Sequence, residues 1–123
     1  MNLKNLVDIT LQHGGCTYDI QTGPVGSIPY YALPIHKHLE ERVPVTVFNE
    51  KDVKIFISKN IDELLVDDRC IGTWIHNGVV YLDVISIFSK EETNLEGLKA
   101  IATANQQIAA WDLETNTVIS FEN

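Results

Sequence analysis

At 123 residues, with 45% hydrophobic and 21% charged side chains, the chain can bury one core without staples and is too apolar for wholesale disorder. Seventeen acidic against nine basic residues leave a formal net charge of −8. That balance argues against binding nucleic acid or an anionic membrane; it permits a basic partner or charge mimicry of nucleic acid.

Leu3, Leu6, Val7, Thr10 and Leu11 recur at amphipathic helical spacing, and Gly14-Gly15 supply a stop after His13. Cys16–Thr22 then reads as a short extended segment, and Gly23-Pro24-Val25-Gly26 as a turn. Ile28–Ile35 is β-prone but bracketed by Pro29 and Pro34, which predicts an edge strand because proline cannot donate to a ladder. His36–Pro44 reads as a charged connection and Val45–Phe48 as a further extended piece. Asn49 then caps a helix whose stripe runs Val53, Phe56, Ile57, Ile61, Leu64 and Leu65, with Phe48 and Val53 placed as a hydrophobic staple.

Arg69–Phe88 is the organising stretch. Asn77-Gly78 between two β-rich runs predicts a two-residue type I′ hairpin, since both central positions need positive φ. That loop pairs Ile75 with Val80, Trp74 with Tyr81 and Gly72 with Asp83. Alternation then sorts Ile71, Thr73, Ile75, Val80, Leu82 and Val84 onto a core face, and Cys70, Gly72, Trp74, His76, Tyr81, Asp83 and Ile85 onto a mixed second face. Beyond it, Ser89–Glu92 and Thr93–Glu96 both fit a capping box, so a helix is expected from one of them to about Asn105. Strands Gln107–Leu113 and Thr117–Phe121 close the chain around a Glu114–Asn116 turn. An unpaired Thr117–Phe121 edge would invite a homodimer. The pattern predicts a single α+β domain over residues 1–123: a largely antiparallel sheet built from hairpins, with about three helices mainly on one face.

Chemistry is much less legible. Cys16 and Cys70 have no CxxC-type spacing and the N-terminal stretch is too polar for a signal peptide, so reduced thiols in a soluble cytoplasmic protein are expected. His36-x-His38 with Glu40-Glu41 could bind a divalent metal, yet fixes no third ligand, and a solvated loop is the simpler reading. His13 and Cys16 could form a thiol–base pair, but lack an orienting group. Tyr18-Asp19, Leu82-Asp83 and Trp111-Asp112 repeat an apolar–acid step; converging carboxylates could do acid–base work or hold Mg²⁺, whereas strand-end aspartates ordinarily cap turns. Asp83 stands out because Gly72 opposite it leaves room for an approaching group. Trp74 beside Tyr81, with Trp111 near, could stack on a base or anchor a protein partner. Phosphate-loop, dinucleotide, nucleophile-elbow and zinc-protease motifs are all missing from the sequence.

Four segments in order, Gly14–Gly23 (GGCTYDIQTG), Tyr30–Pro34 (YYALP), Ile71–Trp74 with Val80–Val84 (VYLDV), and Asn105–Leu113 (NQQIAAWDL), resemble a group of small uncharacterised phage, prophage and mobile-element proteins. Their pattern runs roughly GG-x-TYD-x-x-TG, YLD, NQ-x-AIWDL; this chain departs from it where Cys16 precedes TYD and where Gln107 extends NQ. The group has no established activity, so the resemblance implies only a mobile-element accessory setting. The resulting expectation is a non-catalytic protein, without cofactor or metal, that binds a protein partner such as a host defence or regulatory component. Tyr18, Asp19, Trp74, Tyr81, Asp83, Trp111 and Asp112 are its expected contact residues. The alternatives are a metal-dependent hydrolase built on Asp19, Asp83 and Asp112, an acidic nucleic-acid mimic, and a binder of a small nucleotide-like ligand.

Overall fold

A computed structural model describes residues 2–121. In chain order it contains α1 (Leu3–His13), β1 (Gly15–Asp19), β2 (Gly23–Pro24), β3 (Tyr30–Leu33), β4 (Glu41–Pro44), α2 (Glu50–Lys59), α3 (Ile61–Leu64), β5 (Arg69–His76), β6 (Val79–Ser89), α4 (Leu95–Ala104), β7 (Ala109–Asp112) and β8 (Thr117–Ser120). The strands form one antiparallel sheet in the order β2-β1-β5-β6-β3-β7-β8, curled into half a barrel. The long strand β6 is its spine. One edge pairs with β5 along the whole of β5; the other is shared, β4 taking Val79–Leu82 and β3 taking Ser86–Ser89.

The hairpin forms in the expected register, Trp74 opposite Tyr81 and Gly72 opposite Asp83. Its loop is possible because Asn77 and Gly78 both take positive φ, at 50° and 75°. One face of the sheet is roofed by helices in two adjoining cores. In the first, Leu6 and Val7 of α1 and Val53, Phe56 and Ile57 of α2 meet Ile71, Val80, Leu82 and Val84. A buried hydroxyl pair, Thr10 to Thr73 at 2.6 Å, ties α1 to β5 within it. In the second, Leu98 and Ala102 of α4 meet Tyr31, Leu33 and Ala110. The opposite face is covered at one end only. There the segment after β2 brings Val25 and Ile28 over Ala32, Cys70, Ile85 and Leu113.

Several elements depart from expectation. Residues 28–35 are not an edge: β3 lies inside the sheet between β6 and β7. Pro29 and Pro34 fall just outside its four residues, so neither deprives the ladder of a donor. The supposed charged connection holds a 3₁₀ turn, Lys37–Leu39, and then the strand β4; Val45–Val47 is a second 3₁₀ turn rather than a strand. The first hairpin turns earlier than predicted, over residues 20–22. The helix capped by Asn49 carries the full capping box with Asp52, but breaks at Asn60, whose Nδ2 donates to the Phe56 carbonyl. The last helix is capped by Asn94, which accepts from Gly97 N, instead of Ser89 or Thr93. Among the described residues no helix is long and apolar enough to cross a membrane.

Candidate functional site

The uncovered half of the second face carries the candidate site. Alternation along β5 and β6 points Trp74, His76, Tyr81 and Asp83 to this side, and the β4 register sets Arg42 opposite Tyr81. The side chains form a row. His76 and Trp74 stack with ring centroids 5.2 Å apart, Trp74 and Tyr81 stack at 4.9 Å, and the Arg42 guanidinium lies 5.1 Å from the Tyr81 centroid. Trp74 is 46% exposed although it is stacked on both sides, so its surface is pre-ordered and still open to a partner. Arg42 in turn donates from Nε to Glu40 Oε1 at 2.9 Å. Carrying the β4 register one residue back sets Glu40 against Asp83.

Asp83 is the unusual member. It is 5% exposed, and its Oδ1 is sealed with no hydrogen-bond partner. Its carboxyl lies within hydrogen-bonding reach of Glu40. As carboxylates both groups only accept, so that contact becomes a hydrogen bond only when one of them is protonated. Burial first, and the adjacent Glu40 second, push the Asp83 pKa up to about 7, against weaker pulls from Lys37 and Arg42. The space opposite it is not a ligand slot. A Cβ on Gly72 would sit 2.8 Å from Ile85 Cγ2, so Gly72 makes room for Ile85 and not for an incoming group.

The other expected contact residues lie elsewhere. Tyr18 is core, its ring under α1 and its hydroxyl donating to the Asn2 carbonyl at 3.2 Å. Asp19 Oδ1 accepts from Gln21 N and Thr22 N, closing the β1–β2 turn. Asp112 Oδ1 accepts from Glu114 N and Thr115 N, closing the β7–β8 turn, while Oδ2 meets Lys90 Nζ at 3.0 Å. Burial works against the Asp112 charge, but Lys90 and these N–H donors hold its pKa below the ordinary carboxylate value. Trp111 packs beside Ala32 and Leu113 at the covered end, away from Trp74. The three aspartates therefore serve separate places. Among the described residues no three His, Cys, Asp or Glu side chains are grouped to hold a metal ion.

Both cysteines are free, and burial pushes the Cys16 thiol up to about 11 and the Cys70 thiol to about 12, which removes thiolate character at neutral pH. His36 and His38 do not share a strand side. Their rings meet edge to face at 6.5 Å, and His36 Nε2 lies 3.1 Å from Ser86 Oγ. Burial, then Arg69, keeps the His36 pKa below the ordinary imidazole value. That spacing resembles a nucleophile and its base, but Ser86 is buried and among the described residues no carboxylate hydrogen-bonds His36. Two hollows of about 130 and 410 Å³ open away from the aromatic row, one lined by Glu41, Phe56 and Leu82, the other by Arg69, Ser86 and Phe88.

Sequence reasoning misses Arg42 and reads Glu40 only as a carboxylate beside His36-x-His38, not as the neighbour of Asp83. The one signal of their placement is Val43 alternating with Arg42 and Pro44, too short to read as a strand. No family model, curated protein or solved structure matches this chain, so the site stands on its own geometry.

Proposed function

We propose that this protein is a non-catalytic, cytoplasmic accessory factor of a phage or mobile element that docks a protein partner on the open half of its sheet. The observation that carries this reading is the exposed Trp74, held between His76 and Tyr81 on a rigid hairpin. An aromatic ring whose rotamer is already fixed forfeits little entropy on contact, which is how interface hot spots gain affinity. The row lies on an open stretch of sheet, a shape that suits a protein surface better than a small molecule. The hydrolase alternative loses its basis in the separate duties of Asp19, Asp83 and Asp112.

The test is affinity capture from the native host with three baits: wild type, Trp74→Ala and, as a control on the helical side, Leu95→Ala. A partner retained by wild type and Leu95→Ala but lost from Trp74→Ala is the expected result. Equal retention by all three baits would remove the docking face from consideration.

A further inference from the structure

Resting on that docking reading, we infer that the partner presents an arginine, whose guanidinium displaces Arg42 from Tyr81 and bridges Glu40 and Asp83. The geometry is asymmetric. Two adjacent carboxyl groups face two tethered cations, Lys37 and Arg42; Arg42 is hydrogen-bonded to Glu40 alone, and Asp83 Oδ1 has no donor. Arg42 shows what the site accepts, a guanidinium over the Tyr81 ring with its N–H groups turned to a carboxylate. It is also loosely held, with a side chain 64% exposed against 17% for Glu40. Arg42 is bound to β4, whose pairing with Val80 and Tyr81 keeps its backbone in place. A guanidinium arriving from outside has no such tether and can present two N–H groups, one to each carboxylate.

Charge favours the same occupant. The net charge of −8 steers basic surfaces toward the protein. The charged groups facing Asp83 are Glu40, Lys37 and Arg42, and none of the cations hydrogen-bonds it. Without a partner the carboxyl pair retains a proton near neutral pH, consistent with the raised Asp83 pKa of about 7. Binding the arginine then expels that proton. Affinity must consequently rise with pH in proportion to the deprotonated fraction, about tenfold between pH 6 and pH 8.

The probe is an acetyl-Gly-Arg-Gly-amide peptide, with its uncharged citrulline counterpart, titrated into the full chain while the Trp74 indole and Asp83 carboxyl signals are followed by NMR. The expected result is that the arginine peptide moves both signals and binds about tenfold more tightly at pH 8 than at pH 6, that citrulline moves neither, that Asp83→Asn abolishes the pH dependence, and that Glu40→Gln, which leaves the burial of Asp83 in place, moves it to lower pH. A lysine peptide binding as well as arginine would reduce the claim to any cation and overturn the guanidinium assignment. An unmoved Asp83 signal, or equal binding of citrulline, would overturn the inference outright. If that happens while capture still depends on Trp74, docking stands and the arginine falls; if Asp83 binds arginine but capture ignores Trp74, docking falls instead.

Discussion

Replacing Asp83 with asparagine should stabilise the protein, and by an amount that grows with pH. The carboxyl has an ordinary value of 3.8 in the unfolded chain and about 7 in the fold. A raised folded value means the native state holds the proton more tightly. Its contribution is complete below pH 3.8, is withdrawn as pH climbs through 7, and is level above that. A difference of about three units corresponds to roughly 4 kcal/mol lost in full, of which about 2–3 kcal/mol disappears between pH 5 and pH 8.5. Asparagine cannot ionise, and its amide can donate to the Glu40 carboxylate as the protonated acid does. Urea denaturation followed by tryptophan fluorescence, on wild type and Asp83→Asn at pH 5, 7 and 8.5, isolates the effect, because the remaining carboxylates cancel in the difference between the two proteins. The gap should widen by about 2–3 kcal/mol in favour of the variant across that range. Parallel pH profiles would mean that Asp83 is ionised throughout, and the argument about the carboxyl pair would fail with it.

Gly72→Ala should destabilise by about 1–3 kcal/mol through overpacking, since its methyl would meet Ile85 Cγ2 at 2.8 Å. Combined with Ile85→Ala the two losses should sum to less than their separate values by the same denaturation assay. Asn49→Ala removes the side-chain half of the α2 capping box, leaving Asp52 to accept from the backbone N–H of residue 49, and should cost about 1 kcal/mol, read as a lowered urea midpoint with an unchanged slope.

Where local chemistry decides structure, the sequence is a reliable guide. Asn77-Gly78 determines its own turn, the turn determines the register, and the register sorts Trp74, Tyr81 and Asp83 from Ile71, Val80 and Leu82 without reference to any distant residue. The predicted α+β architecture, with its helices on one face, follows from the same alternation. What escapes is whatever depends on a distant pairing. Glu41–Pro44 has a single aliphatic side chain inside a charged run; it becomes a strand because β6 offers the edge of Val79–Leu82 that β3 does not reach. Two of the six site members, Glu40 and Arg42, enter with it. Tyr30–Leu33 misleads in the opposite way, because its flanking prolines mark the ends of a short interior strand rather than an exposed edge. Gly72 shows a third limit. A glycine opposite a buried acid signals space, but only the packed structure shows that Ile85 fills it.

The division of labour across the sheet explains why the aromatic row can exist at all. An exposed tryptophan on a hairpin costs little when the hairpin's other side is buried under α1 and α2, since the apolar area that stabilises β5 and β6 lies in Ile71, Val80, Leu82 and Val84. Covering the far end of the second face with Val25 and Ile28 finishes a small core around Cys70 and Ile85 and stops there. Tyr81 and Trp74 are thereby left on a stiff support whose folding does not depend on them. Trp74→Ala should accordingly shift stability by no more than about 1 kcal/mol, the loss of one stacked cross-strand pair, while abolishing partner capture. A variant that unfolds in step with its loss of binding would place Trp74 in the scaffold and deny the sheet this separation of roles.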